Sequence, residues 1–192
     1  MENEVISFLS KYTALSGEEV EIILALNLIR TYKKGTLLLQ EGEVAGHCYL
    51  VLKGCVRSYY LLDGAERITE FYTENQPITP VSYTRKTPSA YYLSCVEDCV
   101  LSVSTPHATE VLLQKLPRLE AISRMVVADL LADSQVSSDN FRKLSPEARL
   151  RELLQQRPGL CNRIPQYMLA SYLGMQPESL SRIRRRIKDN PC

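Results

Sequence analysis

Gln166-Tyr167-Met168-Leu169-Ala170-Ser171-Tyr172-Leu173-Gly174-Met175-Gln176-Pro177-Glu178-Ser179-Leu180-Ser181-Arg182-Ile183-Arg184-Arg185 has the spacing of a helix-turn-helix. Two helices that cross steeply need a small residue where they touch, and Ala170 stands there. The turn needs a residue at ease with positive φ, and Gly174 follows four positions later. Leu169, Leu173, Met175, Leu180 and Ile183 occupy the positions that must face inward, and Pro177 presets the first turn of the second helix. At about 100° per residue, Leu180, Ile183 and Ile187 share one side. Glu178, Ser181, Arg182, Arg185 and Asp189 share the other. An amphipathic hairpin serving only as core would leave that arginine-rich face without a purpose. The pattern predicts a surface for double-stranded DNA, with Gln166, Gln176, Glu178, Ser179, Ser181, Arg182, Arg185 and Arg186 as contact residues.

The charge distribution points the same way. The 192 residues carry a net charge of only +1. Split at Asp139, however, the first part has a net charge of −6 and the remainder a net charge of +7. An acidic body with a basic C-terminal segment suits an anionic partner. A chain 45% hydrophobic and 23% charged is globular in composition. No run approaches the roughly 18 to 20 apolar residues of a membrane span. The acidic opening Met1-Glu2-Asn3-Glu4 is unlike a secretory signal, so a cytoplasmic location is expected.

Upstream of residue 105 the sequence reads as strands. Thr36–Gln40, Cys48–Lys53, Cys55–Leu62, Arg67–Tyr72, Tyr91–Val96 and Val100–Ser104 are short and rich in β-branched and aromatic residues. Asp63-Gly64 between two of them is the strongest hairpin signal in the chain. Short strands at this spacing predict a small antiparallel sandwich or barrel. Before them, Ser16-Gly17-Glu18-Glu19 has the form of a capping box opening a short helix. After them, Thr105-Pro106 and Ser145-Pro146 each pair an N-cap with a proline at the first helical position. Pro117 opens the longest helix, Arg118 to about Lys143. Leu112, Leu116, Leu119, Ser123, Val126 and Leu130 approach an a/d seam that Pro117 interrupts. The part after the proline is either core or a surface that pairs with its copy in a second subunit, and pairing is the favoured reading.

The six cysteines and two histidines show no zinc-site spacing, and common hydrolase and nucleotidase signatures are missing, so neither a metal nor a catalytic residue is assigned. Cys95 and Cys99 could face each other across a turn, though reduced, buried thiols are the expected state.

With these motifs in hand, the chain resembles the Crp/Fnr family of regulators over nearly its full length. The resemblance is most specific in Ile164–Lys188, and weaker in Lys34-Gly35-Thr36-Leu37-Leu38 and Tyr49–Arg57. It implies an α+β fold: an N-terminal antiparallel β-barrel of the double-stranded β-helix or jelly-roll kind, a long dimerisation helix and a C-terminal helix-turn-helix domain. The implied boundaries are 1–116 for the cyclic-nucleotide-binding-like sensor, 117–143 for the linker helix and 144–192 for the DNA-binding domain. It further implies a homodimeric transcription regulator on an inverted-repeat operator, RNA polymerase as a further partner, and no enzymatic activity. Glu178 and Arg182 map onto the base-reading glutamate and arginine of the family. Four residues apart, they also reach one groove together by helical geometry alone.

Three departures stand out. Pro177 replaces an arginine common at the first turn of the recognition helix. The chain reaches Cys192 with little room for a β-wing, which must be missing or supplied from before Ile164. The stretch Glu74–Tyr92 lacks the family's Gly-Glu, and Pro88 stands before Ser89-Ala90 where the phosphate-holding arginine belongs. Cyclic AMP binding in the family's usual way is therefore not expected, and no cofactor is assigned. Tyr72, Tyr83, Arg85 and Ser89 are the candidates for an unidentified small-molecule effector. Filling of the former pocket by Tyr59, Tyr60, Phe71, Tyr72, Tyr83, Tyr91 and Tyr92 is the favoured alternative. Two other readings remain open: a sensor whose DNA binding is gated by a cyclic nucleotide or other ligand, and a protein–protein adaptor.

Overall fold

The computed structural model describes residues 4–189. The Asp189 side chain, assigned above to the outward face, and Cys192 lie outside the described residues. In chain order the elements are α1 (Glu4–Leu9), α2 (Gly17–Ala25), β1 (Ile29–Tyr32), β2 (Leu37–Leu39), β3 (Cys48–Lys53), β4 (Val56–Leu62), β5 (Ala65–Tyr72), β6 (Pro77–Ile78), α3 (Val81–Arg85), β7 (Tyr92–Cys95) and β8 (Cys99–Ser104). Helices α4 (Pro106–Lys115), α5 (Leu119–Lys143), α6 (Pro146–Gln156), α7 (Leu160–Arg163), α8 (Gln166–Leu173) and α9 (Pro177–Asp189) follow. Strands end at Ser104, where the sequence pattern ends them. Tertiary contacts divide the chain into two compact units, Met1–Tyr60 with Glu70–Ala128, and Leu61–Thr69 with Asp129–Cys192.

The strands form two four-stranded sheets, in the orders β1-β8-β3-β6 and β2-β7-β4-β5. The architecture is α+β with antiparallel sheets, but the strands do not close into the single barrel that was expected. The short β6, entered at Pro77, is an edge strand, as a residue without an N–H must be. Leu39, Tyr49, Val51, Val56, Ile78, Leu93, Cys95, Cys99 and Leu101 build the core, with Tyr72, Tyr83 and Tyr91 packed against it. The aromatic filling is thus partial. Tyr59 pairs in register with Tyr92 and Arg57 with Ser94, on the face of the sheet opposite Val56 and Cys95. The Tyr59 and Tyr92 rings stack there, their centroids 5.1 Å apart.

The hairpin turn has the backbone its residues demand. Asp63 and Gly64 both take positive φ, 53° and 77°, the pattern of a type I′ turn.

A second core, in the first unit, joins helices to the sheet. Val5, Phe8, Ile23, Leu50, Leu52, Leu116, Leu119 and Ile122 are buried together. At its start the seam is core, the alternative to pairing. Leu112 belongs to α4 and Leu116 caps it, while Ile122 is buried in place of the exposed Ser123. The first turns of α5 are occupied by α1, α2 and β3 of their own chain, not free to pair with a copy. Arg118 lies in the turn before α5, where its guanidinium grips the Glu19 carboxylate and donates to Thr13 Oγ1 (3.0 Å) and Ala14 O (2.8 Å). Glu19 also completes the capping box of α2 by accepting from Ser16 N–H at 2.7 Å. Held by Arg118 and the Ser16 N–H, the Glu19 carboxyl is lowered from 4.5 to about 2.

In the second unit Leu150, Leu153, Leu160, Ile164, Leu169, Ala170, Leu173, Leu180 and Ile183 are buried. Ser145 caps α6 by accepting from Ala148 N–H, with Pro146 at the first helical position. Pro165 serves as the cap of α8, which starts one residue later than the sequence suggested.

Candidate nucleic-acid interface

Two helices, α8 and α9, meet at a turn whose geometry depends on one glycine. Gly174 takes φ +69° at the end of α8, and Met175 N–H reaches back to Ala170 O at 3.0 Å. This is the left-handed helix ending that glycine adopts at little cost. Ala170 is fully buried, as the close crossing requires. Leu169, Leu173, Leu180 and Ile183 face inward as predicted, while Met175 and Ile187 are half-buried.

Arg149, on α6, fixes this turn. Its Nη1 donates to Leu173 O at 2.7 Å and its Nε to Leu144 O at 3.1 Å, while the guanidinium lies 4.1 Å from the Phe141 ring centroid. A Cβ on Gly174 would sit 3.1 Å from Arg149 Nη1 and 3.3 Å from Phe141 Cζ. One arginine of the basic segment therefore belongs to the scaffold. Sequence reasoning counted it only as charge, although it stands one turn before buried Leu153 on an amphipathic helix.

With one side of α9 committed to the core, the other is open. Gln176, Glu178, Ser181, Arg182, Arg185 and Arg186 are exposed, and Ser179 is half-buried. Gln166 is exposed at the start of α8, where its amide lies 3.5 Å from Pro177 O. Arg186 approaches Glu147 of α6 at 3.5 Å, and Arg151 shares that carboxylate at 3.1 Å. Arg186 thus lies at the flank of the open face. The arrangement can offer a carboxylate and a guanidinium side by side, Glu178 and Arg182, with further guanidinium groups around them.

The same unit holds a contact that the sequence did not announce. Ser171 Oγ donates to Glu66 O at 3.1 Å and accepts from Ile68 N–H at 3.0 Å. One hydroxyl thereby bonds one carbonyl and one N–H of the hairpin segment Leu61–Thr69.

The four candidate effector residues each have their own surroundings. Tyr72 hydrogen-bonds Ser58, and burial raises its phenol. The Tyr83 hydroxyl meets Cys48 and Thr109, with Lys86 Nζ 4.4 Å from the ring centroid. Arg85 is exposed at the end of α3. Ser89 is buried, and its Oγ donates to Tyr91 O at 2.8 Å and accepts from Tyr91 N–H at 3.2 Å.

Around them several backbone N–H groups of residues 80–91 are bonded within the unit. Val81 N–H donates to Tyr91 Oη at 3.1 Å and Lys86 N–H to Ser82 O at 3.0 Å. Tyr83 and Thr84 N–H donate to Pro80 O at 3.0 and 3.3 Å, and Ser89 N–H donates to Glu43 O at 2.8 Å.

Residues 29–115 match the cyclic nucleotide-binding domain family. No curated protein matches the sequence. Among solved structures, FixK2 from Bradyrhizobium japonicum is 18% identical over 84% of each chain, with a TM-score of 0.71. The c-di-GMP responsive global regulator CLP of Xanthomonas campestris is also 18% identical, over 91% of this chain and 92% of its own, with a TM-score of 0.68. The Thermus thermophilus catabolite activator protein is 26% identical over 92% of this chain and 85% of its own, with a TM-score of 0.53. These likenesses establish the fold, and none of the described helices is long and apolar enough to cross a membrane. Residues 29–115 are therefore similar to a cyclic nucleotide-binding domain, and the chain shares the α+β fold of these solved regulators.

Proposed function

We propose that this protein is a homodimeric, sequence-specific DNA-binding transcription regulator rather than an enzyme, working without cyclic AMP. The observation that carries the reading is the division of α9. Leu180 and Ile183 anchor one side in the core, and Glu178, Ser181, Arg182, Arg185 and Arg186 stand exposed on the rest. A helix presented in this way fits the major groove, where arginine suits guanine O6 and N7 and glutamate accepts from cytosine N4. Gln166, Gln176 and Ser179 complete the contact set. In this reading 144–192 binds DNA, 117–143 links and dimerises, and 1–116 is the sensor.

Support for the dimer comes from α5. Beyond the turns buried in its own chain it exposes Val127 (63%) and Leu131 (60%), one turn apart on the same side. Such side chains on a helix gain most by packing against a second copy. Two recognition helices related by a two-fold axis then address an inverted repeat, with half-sites about 34–36 Å apart. RNA polymerase and a cytoplasmic setting go with the same reading. Independence from cyclic AMP is supported by the internal bonding of the Val81, Tyr83, Thr84, Lys86, Ser89 and Tyr91 N–H groups, which takes them from any phosphate cradle, and by Pro88 standing where the family's arginine belongs.

A second reading, DNA binding gated by a cyclic nucleotide or other small ligand, is favoured by the family match over 29–115. Calorimetry with cyclic AMP separates the two. No heat is expected at micromolar nucleotide, and a tight isotherm lost in Arg85→Ala would establish the gated form. A gel shift on random-sequence duplex DNA tests the shared claim, because an adaptor would leave the DNA unshifted.

A further inference from the structure

The two-residue turn at Asp63-Gly64 settles which way the backbone of β5 faces. In a type I′ hairpin the residues flanking the turn, here Leu62 and Ala65, form the closing hydrogen-bonded pair. Along β5 the residues then alternate. Arg67 turns its N–H and C=O toward β4, and Glu66 and Ile68 turn theirs away. β5 is the edge strand of its sheet, so these outward groups are the ones a next strand would pair with. Ser171 of α8 takes that place. Its Oγ donates to Glu66 O at 3.1 Å and accepts from Ile68 N–H at 3.0 Å, the two bonds that a neighbouring strand would supply.

Both partners, the segment Leu61–Thr69 and α8, belong to the second unit. Ser171 also stands next to the turn of the helix-turn-helix. Its carbonyl accepts from Gly174 N–H at 3.1 Å, and Ala170 O beside it accepts from Met175 N–H at 3.0 Å. The turn is therefore held in two ways, by Arg149 through Leu173 O and by the hairpin through Ser171. Ile68 is buried and Ser171 half-buried, so a methyl in place of the hydroxyl would leave Ile68 N–H and Glu66 O without these bonds at a cost. With the bridge closed, Gln166, Glu178, Arg182 and Arg185 stand exposed together.

We propose that Ser171 is a positioning residue for DNA recognition, acting through the edge of β5. The bridge holds α8 and the Gly174 turn in the arrangement from which α9 enters the groove. This role presupposes the DNA-binding reading above and adds to it a residue that itself touches no DNA. Coupling of this kind is reciprocal. If the closed bridge favours DNA binding, bound DNA favours the closed bridge by the same factor. Without the hydroxyl the productive arrangement is less populated, and the apparent affinity falls by that fraction. The loss of one to two hydrogen bonds of ordinary strength sets the fall at about three- to tenfold.

The test uses the full-length protein and the duplex enriched from a random DNA pool. Ser171→Ala should bind that duplex about three- to tenfold more weakly than the wild type. Ser171→Thr, which keeps the hydroxyl, should restore the affinity. Amide hydrogen exchange followed by mass spectrometry gives a readout that a purely structural role would not move. Bound DNA should slow exchange across Leu61–Thr69 in the wild type, and Ser171→Ala should lose that slowing. The wild-type measurement needs no variant, so it stands even if Ser171→Ala folds poorly. Ser171→Ala binding as tightly as the wild type overturns the proposal. So does equal weakening in Ser171→Thr, or wild-type exchange across Leu61–Thr69 that is indifferent to DNA. If the wild type shifts no duplex at all, the DNA-binding reading itself fails, and the positioning role fails with it.

Discussion

Residues 80–91 and helix α9 are both rich in polar groups, and they use them in opposite ways. In the first, Val81, Tyr83, Thr84, Lys86, Ser89 and Tyr91 all direct their backbone N–H groups to partners in their own unit. In the second, core packing is confined to Leu180 and Ile183, and Glu178, Arg182 and Arg185 remain exposed. A polar group already bonded inside the protein gains little from a ligand, whereas an exposed guanidinium can exchange water for a base edge or a phosphate. The fold is shared with the c-di-GMP responsive regulator CLP, and the contrast supports the proposed reading, in which the helical half does the recognising.

The largest effect that would sharpen this contrast is expected at Arg149, the one arginine of the basic segment shown to brace the turn. Arg149→Ala removes charge-assisted bonds to Leu173 O and Leu144 O and the contact with Phe141. It should cost about 2–3 kcal/mol of stability. Thermal unfolding followed by circular dichroism measures this, and an unchanged Tm would place Arg149 among the solvated charges.

Arg182→Ala should act on recognition alone. Discrimination between preferred and altered sites falls by about 1–3 kcal/mol, while stability stays within about 0.5 kcal/mol. Competition binding with single-base variants reads the loss. Equal weakening on every sequence would mean that Arg182 only touches backbone.

Arg186, at the flank beside Glu147, should behave differently. Arg186→Ala is expected to weaken binding evenly across sequences and to reduce the slope of log affinity against log salt by about 1.

The smallest effect belongs to the first unit. The Glu19 carboxyl, lowered to about 2 by Arg118 and the Ser16 N–H, favours the folded state when ionised. That contribution is complete above the ordinary value of 4.5 and is lost as pH falls from there toward 2. Glu19→Gln should therefore flatten the acid limb of the stability profile between these values and leave affinity for DNA unaltered. A wild-type profile already flat across that window would contradict the role given to the Arg118 pair.

Local chemistry was legible in the sequence, and long-range pairing was not. Asp63-Gly64, the caps at Ser16, Thr105 and Ser145, and the Ala170–Gly174 spacing each act within a few residues, and each appears in the structure where the sequence placed it. Strand β1 escaped because Ile-Arg-Thr-Tyr is too short to show alternation, and β6 because it is two residues long and begins with proline. The burial of Ile122 depends on α1 and α2 folding back over α5. Ser171 bonding to Glu66 and Ile68 spans more than a hundred residues, and no periodicity records it. For the interface, helix boundaries and the inward side of α9 could be read directly. The distinction between Arg149 and the exposed arginines could not, because charge alone does not reveal which carbonyl oxygens a guanidinium will find.

The central claim is that the open face of α9, presented twice by a dimer, reads DNA sequence. It is tested most directly by incubating the full-length protein with a random duplex pool and sequencing the bound fraction through successive rounds. The account predicts enrichment of one inverted repeat whose half-site centres lie about one helical turn apart. Enrichment of sites without dyad symmetry, or no enrichment over the starting pool, would contradict it.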